Sequence, residues 1–198
     1  MTSFDKKSEE TGKSVYTTNN VTKSGATTIG DYSYDVLDQK GKSVSSGTGK
    51  YKCTGGVMMI DAKAALPSDN MSAYKGMDVI ADEVFIEYPV NMNTGQSLKD
   101  VDFAMSVMNN NIKFAEVSLT ELNRKVEGKE SVTSPAGTWE CWKITFDGRF
   151  KAGFGPIGIP FNFKGIEWYA PGFGVVKTET YLKNGKLAGS TLITEIKK

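Results

Sequence analysis

The sequence contains no histidine and only two cysteines, Cys53 and Cys141, among its 198 residues. Without histidine, the chain lacks the commonest general base, the usual triad partner of a serine or cysteine nucleophile, and the commonest metal ligand. Two cysteines are too few for a disulfide-rich scaffold or a structural zinc site. The composition therefore predicts a protein that is not an enzyme and has no metal site and no cofactor.

Neither sign of charge dominates, because 24 lysines and arginines balance 23 aspartates and glutamates. A net charge of +1 gives no bulk attraction for nucleic acid or an anionic membrane, so we expect no nucleic-acid partner. The basic stretch Asn123-Arg124-Lys125 is short, and we interpret it as a solvated strand face.

Long apolar runs are also missing, and no segment reaches the eighteen residues of a transmembrane helix. The opening residues, Met1 to Lys7, do not have the composition of a secretory signal. Two alternatives remain open: a cytoplasmic protein if Met1 is native, or a mature exported chain whose signal has been removed.

What the sequence does contain is a series of short strand patterns separated by turn residues. Asp31 to Val36 alternates large apolar with polar or small residues, which is the period of a half-buried strand. We predict a flexible, polar tail over residues 1-13 and a single antiparallel β domain over residues 14-198. An all-β barrel or half-barrel is favoured, with a sandwich as the alternative.

The last hairpin carries the clearest strand signal. Asn184-Gly185 separates two apolar-rich strands, and this dipeptide is typical of a type I′ turn. Such a turn would place Leu182 opposite Leu187 and Val176 opposite Ile193.

Two segments carry a helical signal. Pro67, Ser68 as an N-cap and Gly76 as a stop predict one short helix near residues 68-75. Residues 112–126 have apolar side chains at three- and four-residue spacing, but Val117 and Thr120 favour extended structure. We favour a strand there, with a helix as the alternative.

Seven of the eight methionines lie between Met58 and Met108. Methionine is flexible and polarisable, so these residues could line a lipid-type cavity or simply fill the core. The candidate ligand-binding residues are Met58, Met59, Met71, Phe85 and Trp168. A second cluster of aromatic residues, between Phe150 and Phe173, predicts either core packing or an exposed surface for a partner or glycan.

Three further patterns have simpler explanations than catalysis. Residues 153–158 match G-x-G-x-x-G, but another strand pattern follows instead of a helix, so we predict a hairpin turn. Cys53 and Cys141 form either a disulfide or, as we favour, buried free thiols. The acid pairs Asp82-Glu83 and Asp100/Asp102 could serve a hydrolase only if two carboxylates faced each other across a cleft.

Two blocks of sequence resemble a known family. They are Val132–Ile144, which reads VTSPAGTWECWKI, and Lys164–Glu179, which contains WYAPGFGVVK. Both are similar to stretches of exported, TapB/YmcC-like lipoproteins of unknown function from Bacteroides-type organisms, and Asp61-Ala62-Lys63 also fits. The resemblance implies an antiparallel barrel or half-barrel with a helix against it. It also implies a location in the periplasm or outer envelope, with a lipid anchor lost together with the signal.

These observations lead to three functional hypotheses. The first is a non-catalytic exported envelope protein that binds an apolar, lipid-like ligand or a protein partner through the half-barrel. The second is a structural or assembly protein of the cell envelope. The third is a hydrolase that uses paired carboxylates.

Overall fold

The computed structural model describes residues 1–66, 78–154 and 157–197. In these residues thirteen strands form one antiparallel sheet. The strands are β1 (Thr2–Asp5), β2 (Glu10–Ser24), β3 (Thr27–Asp38), β4 (Ser43–Thr54), β5 (Val57–Asp61), β6 (Asp78–Ala81), β7 (Phe85–Pro89), β8 (Val101–Asn109), β9 (Ile112–Ser134), β10 (Gly137–Phe154), β11 (Ile157–Ala170), β12 (Gly174–Tyr181) and β13 (Leu187–Leu192).

The strand order is β6-β8-β9-β10-β11-β12-β13-β1-β2-β3-β4-β5-β7, and the sheet curls into a half-barrel. The predicted all-β half-barrel is therefore confirmed. One 3-10 helix, Ala62–Ala65, is the only helical element in the described ranges. None of the helices described is long and apolar enough to cross a membrane. The helix predicted near residues 68-75 falls in 67–77, outside the described residues.

Two hydrophobic cores lie on opposite faces of the curled sheet. Tyr169 belongs to the first core and the adjacent Trp168 to the second, because neighbouring strand residues point to opposite faces. We call the face of the first core the inner face. Its members include Ile86, Tyr88, Val101, Phe103, Met105, Val117, Leu119, Val126, Ile144 and Phe150. The second core contains Val132, Cys141, Trp168, Ala170, Val176 and Ile193.

The prediction of a flexible tail over residues 1-13 is wrong. Thr2–Asp5 forms β1, which pairs with β13 on one side and with β2 on the other. The polar residues that follow form a tight turn, in which the Asp5 carboxylate accepts hydrogen bonds from the amides of Lys7 and Glu9. Backbone pairing on both edges orders this segment although few of its side chains are apolar.

The structure confirms one of the two residue pairs predicted for the last hairpin. The amide of Ile193 donates to the Val176 carbonyl at 2.9 Å, as expected. The predicted type I′ turn is wrong, because Gly185 has a positive φ of 78° and Asn184 does not. The loop has three residues and is closed by two backbone hydrogen bonds: the Leu182 amide donates to the Lys186 carbonyl, and the Gly185 amide donates to the Leu182 carbonyl. Leu187 therefore faces Tyr181 and not Leu182.

Residues 112–126 are extended, as we favoured, and belong to the 23-residue strand β9. Ala115, Val117 and Leu119 alternate on the inner face. Near Asn123, which has a φ of 56°, the pairing with β10 shifts register. The irregularity leaves Leu122 exposed and places Arg124 in the interior, so the apparent helical spacing arises from a kinked strand.

The G-x-G-x-x-G segment is a hairpin, as predicted. Gly153 on β10 pairs with Gly158 on β11 in an antiparallel ladder. A dinucleotide loop would instead lead from a strand into a helix, so this segment offers no helix N-terminus to a phosphate.

Candidate functional site on the inner face

A buried charged cluster lies on the inner face, centred on the fully buried Arg124 of β9. Its Nε atom lies 3.2 Å from the carboxylate of Glu121, and a terminal nitrogen lies 2.9 Å from that of Glu167. The same guanidinium donates to the carbonyl oxygens of Glu87 and Lys99, at 3.3 and 3.1 Å. One side chain thus connects β7, β9, β11 and the segment before β8. The interpretation of this basic stretch as a solvated face is wrong at Arg124.

Tyrosine rings complete the cluster. The Tyr88 hydroxyl donates to Glu167 at 2.9 Å, and the Tyr88 ring stacks on Tyr169 with centroids 4.4 Å apart and planes inclined by 7°. The Arg124 guanidinium lies 5.1 Å from the Tyr88 ring centre. Because Tyr88 lies on the edge strand β7, these contacts hold that edge against β9 and β11.

Two carboxylates, those of Glu121 and Glu167, share one guanidinium in this cluster. Burial, together with the charge of Glu167, raises the pKa of Glu121 to about 8, against the opposing effect of Arg124. Burial also raises the pKa of Tyr88 well above its usual value. The raised pKa favours a proton on Glu121, and Arg124 pairs with Glu167 at 2.9 Å. The charged groups of the cluster are directed at one another, although the Arg124 Nε atom and one Glu121 carboxylate oxygen form no hydrogen bond within the described structure.

A second feature of the inner face is an aromatic surface on β2, β3 and β4, which we call the tyrosine patch. Tyr16 lies 5.9 Å from Tyr32 and 6.1 Å from Tyr34, measured between ring centroids. The cross-strand register places these rings on the same face as the first core. The members of the patch are Tyr16, Tyr32, Tyr34 and Tyr51.

Glycines opposite the tyrosines hold three of these rings flat against the sheet. A Cβ atom built on Gly47 would lie 2.5 Å from the Tyr34 hydroxyl oxygen, and one on Gly49 would lie 2.4 Å from that of Tyr32. Gly30 leaves the same space for the Tyr51 ring. Aromatic side chains that cover cross-strand glycines present a ring face rather than an edge.

The tyrosine patch combines exposed rings with one unsatisfied hydroxyl. Tyr16 is 44% exposed, whereas Tyr32 is only 7% exposed and its hydroxyl has no hydrogen-bond partner within the described structure. Burial, reinforced by the charge of Asp61, raises the pKa values of Tyr32 and Tyr34, so both hydroxyls stay protonated. An unpaired buried hydroxyl is costly.

Small hydroxylated side chains continue the inner face from the tyrosine patch toward β12. The register connects Tyr16 through Ser14 and Gly12 on β2 to Ser3 on β1. From there it continues to Thr191 on β13 and Thr178 on β12.

The family assignment rests on sequence. The DUF3108-like family model matches residues 1–193, which is nearly the whole chain. The chain belongs to the DUF3108-like family. No curated protein matches it.

Two solved structures share the fold of this DUF3108-like chain. A predicted lipoprotein from Parabacteroides distasonis is 23% identical, has a TM-score of 0.84, and is matched over 99% of this chain and 92% of its own. A predicted exported protein with a YmcC-like fold from Bacteroides fragilis is 20% identical, with a TM-score of 0.84 and coverages of 100% and 93%. At these identities the similarity establishes the fold alone.

The structure does not bring the predicted ligand-binding residues of this DUF3108-like protein together. Met58 packs against the first core, but its neighbour Met59 points to the outer face. Phe85 lies beneath the Lys52 ammonium group at 4.2 Å, and Trp168 is buried in the second core. Met71 lies outside the described residues.

The other candidate residues also lie apart. Cys53 and Cys141 are both free thiols, so the disulfide alternative is wrong. Cys141 packs in the second core, where burial raises the pKa of its thiol to about 11, whereas the register places Cys53 on the inner face. Glu83 is exposed and pairs with Lys50 and Lys52. No cluster of three or more metal-ligating side chains occurs in the described ranges.

The outer face of the DUF3108-like sheet carries a groove of about 440 Å³ between β9 and β12. Its walls include Asp147 and Lys164, whose charged groups are exposed and 3.9 Å apart. The groove is open and lies on the face opposite the tyrosine patch, so the two are separate surfaces.

Sequence reasoning missed both features of the inner face. The tyrosine patch had a readable signal, because Tyr32-x-Tyr34 and Gly47-x-Gly49 share a two-residue period and can face each other across a hairpin. The charged cluster had none, since Arg124, Glu121 and Glu167 are ordinary strand charges until the irregularity near Asn123 turns the arginine inward.

Proposed function

We propose that this protein is a non-catalytic, exported protein of the cell envelope that binds a ligand on the inner face of its half-barrel. The descriptions of the two structural neighbours as a predicted lipoprotein and a predicted exported protein support the location. The charged cluster fills one part of the inner face, and we place the ligand on the tyrosine patch.

One observation carries this proposal: tyrosine rings lie flat against cross-strand glycines on the inner face, next to the Tyr16 ring, which is 44% exposed. Rings that lie against glycine offer apolar faces, and tyrosine hydroxyls offer donors and acceptors. A ligand that suits both has apolar C–H faces as well as hydroxyl groups. Carbohydrate has this combination, and we propose a glycan chain in place of a purely apolar ligand.

The ligand is tested by calorimetric titration with chitohexaose, cellohexaose and mannohexaose, with palmitate as the apolar arm. We expect at least one hexasaccharide to bind. The Tyr16→Ala variant should bind it with about three- to tenfold lower affinity, because an aromatic contact contributes about 0.5–1.5 kcal/mol. Tyr181→Ala, on the outer face, is the matched control and should leave the affinity unchanged. Binding of palmitate alone, or equal losses in the two variants, would refute the glycan proposal.

The location is tested by fractionating cells that express the natural gene from its own start. We expect the protein in the envelope fraction, and globomycin, which blocks lipoprotein processing, should make a larger precursor accumulate if a lipid anchor is present. Recovery in the cytoplasmic fraction alone would contradict an exported protein.

A structural or assembly role in the envelope is the second candidate, and the long exposed hairpin of β2 and β3 favours it. The hydrolase alternative has less support. The buried pair Glu121 and Glu167 is bound to Arg124 rather than facing across a cleft, which a glycosidase mechanism requires.

A further inference from the structure

Strand β2 has a long open edge. β1 pairs with β2 only as far as Lys13, and Met1 extends this contact to Ser14. From Val15 to Ser24, β2 pairs with β3 on one side, and no described residue pairs with its other edge. An open edge presents unpaired backbone donors and acceptors, which serve as a template for another strand.

The direction of the free backbone groups follows from the last contact with β1. Ser14 exchanges both of its backbone hydrogen bonds with Met1, at 2.8 and 2.9 Å, so its amide and carbonyl point away from β3. Because hydrogen-bonding direction alternates along an antiparallel strand, the backbone groups of Tyr16 and Thr18 also point to the open edge. Those of Val15 and Thr17 point to β3.

The sequence of this edge lacks the charges and the proline that commonly protect an edge strand from pairing. Natural edges carry charges or proline, but residues 15–24 read VYTTNNVTKS, with one charge and no proline. Val15, Tyr16 and Val21 are each about half exposed. The segment is rich in the β-branched and aromatic residues that favour strands.

A bulge at Asn19 sets which side chains share a face. The register with β3 shifts between Thr18 and Asn20, which makes Asn19 the extra residue. Thr18 and Val21 therefore both lie on the inner face, opposite Tyr32 and Gly30. Without the bulge, the two would point to opposite faces of the sheet.

We propose that this open edge binds the same edge of a second copy of the chain, in an antiparallel pairing centred between Asn19 and Asn20. In that register Tyr16 faces the partner copy's Lys23, and Thr17 faces its Thr22. Thr18 faces the partner copy's Val21. No like charges oppose each other, and the pairs are of the aromatic, threonine and β-branched kinds that stabilise sheets.

The bulge makes this register specific. Tyr16 and Lys23 lie on the inner face, as do Thr18 and Val21, so each pair matches inner face with inner face. A shift by one residue would place inner-face side chains of one copy against outer-face side chains of the other. The result is a closed twofold dimer in which one sheet continues through both copies.

Sedimentation velocity over 1 to 500 µM tests the dimer, with Thr18→Pro as the disrupting variant and Thr18→Ala as the control. The proline removes an amide that points to the open edge and leaves the bonds to β3 in place. We expect a dimer for the parent and for Thr18→Ala, and at least tenfold weaker association for Thr18→Pro. Circular dichroism shows whether the proline variant is folded.

Hydrogen exchange on the parent protein gives a readout that needs no substitution. On dilution to monomer, the amides of Tyr16 and Thr18 should lose protection, whereas those of Val15 and Thr17 should not change. A monomer at every concentration would overturn the proposal. So would a dimer whose association does not respond to Thr18→Pro, or one that protects none of these amides.

Discussion

Replacing Arg124 with alanine is expected to destabilise the protein by about 3–5 kcal/mol, because the buried Glu167 carboxylate loses its cation. Arg124 is fully buried and is the partner of both Glu121 and Glu167. It also satisfies the carbonyl oxygens of Glu87 and Lys99. A loss of this size is a large share of the stability of an ordinary domain. Urea denaturation followed by fluorescence measures it.

The neighbouring Lys125 provides the control. Its ammonium lies 3.9 Å from Glu127 and both side chains are exposed, so Lys125→Ala should change stability by less than about 1 kcal/mol. The two substitutions each remove one positive charge from adjacent positions of the same strand. Equal effects would show that the cluster does not hold β7 against β9 and β11.

Stability is expected to fall as the pH rises from about 5 to about 8, because of Glu121. The pKa of Glu121 is about 8 in the folded protein, against a usual value of 4.5. Between these values the folded state retains a proton that the unfolded state has released, so raising the pH favours unfolding. The effect is on the order of 2–4 kcal/mol across this window.

A glutamine substitution at Glu121 isolates the contribution of this carboxyl group to the pH dependence of stability. Glu121→Gln keeps the shape and neutrality of the protonated acid, so the variant should lose less stability than the parent between pH 5 and 8. Glu116→Gln is the control, since Glu116 is an exposed residue of β9 whose pKa is lowered by its pairing with Lys113. Parallel stability curves for the parent and Glu121→Gln would contradict a protonated Glu121.

The fold could be predicted from the sequence wherever the local residue pattern agrees with the backbone pairing of the strands. Alternation on β3 and the turn residues between strands predicted an antiparallel half-barrel. The predicted pairing of Val176 with Ile193 is also correct, because a bulge near Tyr181 compensates for the longer loop. The N-terminal residues could not be predicted, since β1 is ordered by hydrogen bonds to strands from both ends of the chain.

The sequence predicted a ligand-binding surface on a β scaffold but not the residues that form it. The aromatic cluster noted between Phe150 and Phe173 does not include the tyrosine patch, and the methionine cluster lies on other strands. Met58 and Trp168 are far apart in register and lie on opposite faces, which no local pattern can reveal. The burial of Arg124 depends on an irregularity in β9 and on carboxylates from other strands.

The most direct test of a ligand on the tyrosine patch is NMR of protein with isotope-labelled tyrosine rings, titrated with the hexasaccharide that binds. The account predicts that the ring signals of Tyr16 and Tyr34 shift with saturation, while that of Tyr181 on the outer face stays in place. Shifts confined to Tyr181, or saturable binding that moves no ring of the tyrosine patch, would contradict it.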